Sequence, residues 1–225
     1  MNRLLLLLLV FTFSCAEREL QLPVTTNNDI TEILDVSPVY IFYDEETGEA
    51  DLNRNNMIST TNWLVNIDKR LTLKQVLPHL QYLQDKRHGD SAHKNENAKN
   101  YFTCFNEETK NLSFIEFTDL IYELGYENIT EPDFSLVTYF GVAKFNSLDS
   151  IELKVISNGH SVIENYRDFD YLLNEINGLL KDGRLNLSLF YNSELTFQDY
   201  IEIKSKMLTI NFKSLQIYND EVIYN

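Results

Sequence analysis

Short runs dense in aromatic and β-branched residues alternate along this chain with amphipathic helical periods, and that alternation leaves few architectures open. "PVYIFY" (38 to 43) and "SLVTYFGV" (135 to 142) read as strands, each with a proline, Pro38 or Pro132, at or near its start. An amphipathic helix follows each run after a gap of about thirty residues. In "TLKQVLPHLQYLQDK" the residues Leu73, Val76, Leu77, Leu80 and Leu83 share one face. Thr72 and Gln75 form a capping box there, which satisfies amide hydrogens that the first helical turn leaves without partners. In "DFDYLLNEINGLLKDG" the face is Phe169, Leu172, Leu173, Ile176, Leu179 and Leu180, with Asp168 as cap and Gly183 as stop. Pro78 removes a backbone bond, so it predicts a kink or a delayed start in the first helix.

The parallel continues downstream. "NYFTCF" (100 to 105) and "LNLSLFY" (185 to 191) read as strands, and each leads into a fresh helix start. The starts are "LSFIEF" (112 to 117), with Ser113 and Glu116 as a capping box, and "LTFQDY" (195 to 200), capped by Thr196. These helices are expected to run to about Leu124, stopped by Gly125, and to about Thr209, before the short strands "YENIT" and "FKSLQIYN". The reading is an α+β chain: a mixed β-sheet with two helices packed on one face, present twice in tandem, at 38 to 131 and 132 to 225.

The stretch from Ile151 to Asn219 resembles the periplasmic domain of the ExbD/TolR family. It has a strand, a turn at Asn158 and Gly159, a second strand and a capped helix. A strand then ends in the polar turn Asn192, Ser193 and Glu194, followed by the helix "FQDYIEIKSKM" and a final strand. Members of that family cross the inner membrane once and place an aspartate inside the span. Here the leader is an apolar run of ten residues, Leu4 to Phe13, without an acid. The resemblance therefore implies an exported domain that pairs with itself and contacts envelope proteins or peptidoglycan, without proton-coupled motor activity. Two copies in one chain lead to the expectation of an intramolecular pseudo-dimer or a homodimer.

That apolar run, "LLLLLLVFTFSC", is shorter than the roughly 20 residues a membrane-spanning helix needs. It sits behind Arg3, as in a secretion signal. Its end resembles the lipobox of bacterial lipoproteins. The resemblance implies removal of residues 1 to 14 and acyl chains on Cys15, which would anchor the protein in the membrane of a cell envelope. Residues 15 to 37, polar and without a sustained period, are expected to form a flexible tether.

Loss of residues 1 to 14 takes Arg3 with it, so the formal charge moves from −15 to −16. A chain so acidic repels nucleic acid and anionic headgroups. With Cys15 acylated, Cys104 has no partner in the chain, and its place in "NYFTCFN" predicts a buried, inert thiol. The seven glycines form no phosphate loop or dinucleotide fingerprint, and neither a nucleophile elbow nor a zinc helix is present. No catalytic, cofactor-binding or metal residue is therefore assigned. "HGDSAHKNEN", with His88, Asp90 and His93, reads as a solvated insertion, and "DEETGEAD", Asp44 to Asp51, as a hairpin turn. The expected function is noncatalytic binding of an envelope protein or cell-wall polymer. The alternative is an exported hydrolase using a carboxylate pair, for which 34 acids supply many candidates and single out none.

Overall fold

The computed structural model describes residues 18–89, 95–125, 138–210 and 212–225. The elements in chain order are β1 (Val24–Thr25), β2 (Val36–Tyr43), β3 (Ala50–Asn53), β4 (Asn62–Ile67), α1 (Leu73–His88), β5 (Asn100–Asn106), β6 (Asn111–Glu116) and β7 (Ile121–Leu124). They continue with β8 (Tyr139–Ser147), β9 (Ser150–Ser157), β10 (His160–Tyr166), α2 (Phe169–Asp182), β11 (Leu185–Asn192), α3 (Phe197–Leu208) and β12 (Leu215–Tyr224). Among the described residues this is an α+β architecture of two mixed sheets and three helices, arranged as two sheet–helix units in tandem.

The two sheets share one strand order. The first runs β1-β5-β4-β2-β3, with β6 added beside β5, and the second runs β7-β12-β11-β8-β9-β10. In each, a hairpin (β2–β3, β8–β9) precedes a strand that returns parallel to its first arm, and a helix then crosses to the next parallel strand. Parallel neighbours need such a crossover, so β4–α1–β5 and β11–α3–β12 are equivalent. The structural counterpart of α1 is therefore α3, whereas sequence spacing had matched α1 with α2. The second unit carries β10 and α2 where the first has only the loop 54–61.

The expected helix at 112 to 117 is strand β6. Its residues pair antiparallel with β5 from Tyr101↔Glu116 to Asn106↔Asn111, through a turn in which Asn106 Oδ1 accepts from the Glu108 and Thr109 amides. The apparent capping box is spent elsewhere: Ser113 Oγ donates to the Asn27 carbonyl, and Glu116 accepts from Lys99 Nζ at 2.9 Å. Downstream, 121 to 124 is strand β7 rather than the end of a helix. "YENIT" lies outside the described residues. Helix α1 starts at Leu73 and continues through Pro78 without delay. Pro78 and Lys74, whose carbonyl would have received the missing bond, are both exposed, so water can take that carbonyl.

Residues 18 to 37, expected as a tether, are laid along both units. Val24 and Thr25 pair parallel with Phe105 and Asn106 of β5. The Gln21 carbonyl accepts from the Lys69 amide at 2.8 Å, and the Ile30 carbonyl from the Phe114 amide at 2.9 Å.

The units meet at the starts of α1 and α3. Thr72 and Thr196 form an isolated antiparallel bridge, the Leu73 amide donates to Leu195 and the Phe197 amide to Leu71. The Lys74 amide donates to Ser193, and the Gln198 amide to Lys69. Each pair of bonds is reciprocal between the units, as a two-fold relation requires. The exchange extends to the outer strands. The Gln198 side chain of α3 clamps Val24 of β1, accepting at 2.8 Å and donating at 3.0 Å. From α1, Gln81 donates to the Tyr122 carbonyl of β7 at 3.0 Å and Gln84 donates to that of Leu120. One contiguous apolar core runs through both units.

Candidate functional site

Helix α2 leaves part of its sheet uncovered. Phe169, Leu172 and Ile176 are buried, and Phe169 stacks on Phe145 of β8 with centroids 6.5 Å apart. Leu173, Leu179 and Leu180 are only partly buried. Strand β10 pairs with β9 through a tight turn at Asn158 and Gly159, both with positive φ, and has no other neighbour among the described residues. Its side chains stay open to solvent on both faces; Val162 is 59% and Ile163 55% exposed.

The gap between β10 and α2 is a cavity of about 320 Å³. Its apolar wall is Tyr139, Leu153, Val155, Val162 and Leu179. Its polar groups are Ser157, His160, Glu164, Tyr166 and Glu175, and no lysine or arginine lines it. Tyr166 donates to Glu164 Oε2 at 2.7 Å; burial, and then that bond and the charge of Glu164, push its phenol above the ordinary range. An apolar concavity with a few convergent polar groups is the usual form of a small-ligand site.

A second polar cluster lies within the second unit and is largely buried. Tyr200 donates to Glu221 Oε2 at 2.6 Å, Lys204 Nζ to Glu221 Oε1 at 2.5 Å, and the Tyr122 and Tyr200 hydroxyls are 3.1 Å apart. Glu221 is 1% exposed, and the Tyr191 hydroxyl beside the cluster has no hydrogen-bond partner among the described residues. Burial, followed by the charge of Glu221, raises all three phenols well above their ordinary range. The arrangement joins β7, α3 and β12.

Cys15 and the leader lie outside the described residues. His88 ends α1, while Asp90 and His93 are not described. Among the described residues no three histidine, cysteine, aspartate or glutamate side chains converge to hold a metal ion. Asp44 to Glu49 form the turn of the β2–β3 hairpin, where Asp44 Oδ1 accepts from the Glu46 and Thr47 amides at 2.9 Å. Cys104 is fully buried in β5, and burial pushes its thiol up to about 12, so it stays protonated and unreactive. The groove residues Glu164 and Glu175 escaped the sequence reading. The available signal was in "SVIENY": alternation puts Glu164 on the same strand face as Val162 and Tyr166, a carboxylate on an otherwise apolar side.

No helix among the described residues is long and apolar enough to cross a membrane. Comparison with known proteins returns no matching family model, no matching curated protein and no matching solved structure.

Proposed function

We propose that this chain is a noncatalytic, lipid-anchored protein of a bacterial cell envelope, held by acyl chains on Cys15. Its folded units form an intramolecular pseudo-dimer, and its second unit binds a partner protein or cell-wall polymer. The proposal includes the finer architecture, in which α2 and α3 form one helical layer over the second sheet. The observation that carries the binding role is β10: seven residues with an unpaired edge among the described residues, beside an incompletely filled groove. An open edge of this kind is normally blunted unless something pairs with it. Motor activity has no place in this reading, because the leader contains no acid to carry a proton.

Two measurements test it. Cells expressing the chain should incorporate labelled palmitate, and Cys15→Ser should abolish that incorporation. Residues 18–225 should retain an envelope protein or purified peptidoglycan, and Ile163→Pro, which blocks the β10 edge, should lose it. Retention unchanged by Ile163→Pro, or turnover of a polysaccharide or ester panel, would reverse the reading.

A further inference from the structure

The groove between β10 and α2 has a chemistry more specific than an open strand edge. Its volume of about 320 Å³ falls at the small end of ligand pockets, too small for a folded partner and sufficient for a compact apolar body. Five residues supply that apolar wall: Tyr139, Leu153, Val155, Val162 and Leu179. On the β10 side Glu164 follows Val162 on the same face, and on the α2 side Glu175 stands one turn before Leu179. The two carboxylates therefore border the apolar wall from opposite sides. Glu164 accepts from Tyr166, whereas among the described residues no hydrogen bond or ion pair engages Glu175, which also borders the adjoining hollow that Arg167 lines.

Both carboxylates are exposed at the rim of the groove, so a neutral apolar ligand gains nothing from them, and an anionic one would add a third negative group. A cation on a hydrocarbon or aromatic body satisfies both halves of the groove. We propose that this groove binds a small amphiphilic primary amine, its ammonium between Glu164 and Glu175 and its apolar body against Leu153, Val155 and Leu179. The inference goes beyond the envelope reading and does not depend on the anchor or the partner. Palmitate incorporation and partner retention report on that reading, whereas amine titration reports on this one.

The test uses the chain from residue 15 onward with Cys15→Ser, which keeps every described residue. Octylamine, octanoate, octanol and ethylamine are titrated at pH 7, below micelle-forming concentrations, by calorimetry and by amide shifts in nuclear magnetic resonance. Octylamine should bind with shifts confined to β8, β9, β10 and α2. Octanoate and ethylamine should show no saturable binding, and octanol should bind at least tenfold more weakly than octylamine. Glu175→Gln should weaken octylamine at least tenfold, and Leu179→Trp, which fills the cavity, should abolish binding while circular dichroism stays unchanged. Should Leu179→Trp unfold the chain, Val162→Phe, at a more exposed position, tests the same volume. Equal binding of octanoate, saturable binding of ethylamine, shifts outside these elements, or an unchanged affinity in Glu175→Gln would overturn the proposal.

Discussion

The two units place different chemistry at the same points of one topology. Val65 and Leu189 each stand seven residues before their helix cap, and across the parallel ladder they pair with Phe102 and Glu221 respectively. Four and eight residues after the caps, the first unit has Val76 and Leu80, and the second has Tyr200 and Lys204. So the first unit fills this site with apolar side chains, with Phe102 stacked on Phe117 at 3.9 Å. The second fills it with a buried ion pair and phenols. The fold tolerates both because the polar version is nearly complete: each carboxylate oxygen of Glu221 has a donor.

The largest expected effect comes from breaking that polar version by half. Glu221→Leu leaves the Lys204 ammonium buried without its carboxylate and should cost about 3–5 kcal/mol in urea unfolding. Converting the site toward its counterpart, with Lys204→Leu and Glu221→Phe together, should recover more than half of that loss, since no lone charge remains. A double variant no better than Glu221→Leu would show that the two sites are not interchangeable.

A second comparison is at the strand ends before the caps. Asp68 Oδ1 accepts from the Arg70 amide at 3.1 Å, as Asn192 Oδ1 accepts from the Glu194 amide at 2.8 Å. Only Asp68 adds charge. Burial opposes its ionisation, yet hydrogen bonds from the Arg70 side chain and amide and the Gln21 amide hold its carboxyl below the ordinary range. A folded-state pKa below the unfolded one adds stability above about pH 4, the unfolded value, and that stability is lost as pH falls through the folded value. Asp68→Asn keeps the turn and removes the charge. It should cost ~1.5 kcal/mol at pH 7 and flatten the acid limb of stability against pH. An unchanged acid limb would place the titration elsewhere.

The smallest effects separate the two caps. Thr196 Oγ1 accepts from the Asp199 amide at 3.2 Å while Asp199 returns a bond to the Thr196 amide at 3.0 Å. At Thr72 the clear contact is Gln75 Oε1 on the Thr72 amide, at 3.0 Å. Thr196→Ala should cost ~1 kcal/mol and Thr72→Ala less. Because the two residues bridge each other, the double variant should depart from additivity in thermal unfolding.

Much of the fold was legible in local signals. Strands β2, β5 and β11 declared themselves by aromatic and β-branched runs, α1 and α2 by an apolar face and a capping residue, and α3 by its capping residue. Strand β6 was not legible, because "LSFIEF" carries hydroxyl and acid at capping spacing. The hairpin with β5 overrode that local signal by burying Phe114 and Ile115. The candidate groove was invisible for a different reason. It is assembled from side chains of β8, β9, β10 and α2, and which residues of these elements meet is not written in any one element's own period.

The sequence by itself determined which segments have an apolar side, where α2 and α3 begin, the acidic formal charge of −15, and the inert setting of Cys104. Tertiary structure alone decided that α1 corresponds to α3, that residues 23 to 30 dock along β5 and β6, and that Glu221 shares a core with three tyrosines. Those facts depend on partners far apart in the chain. Periodicity records a residue's own face, and it carries no information about which distant surface will close over it.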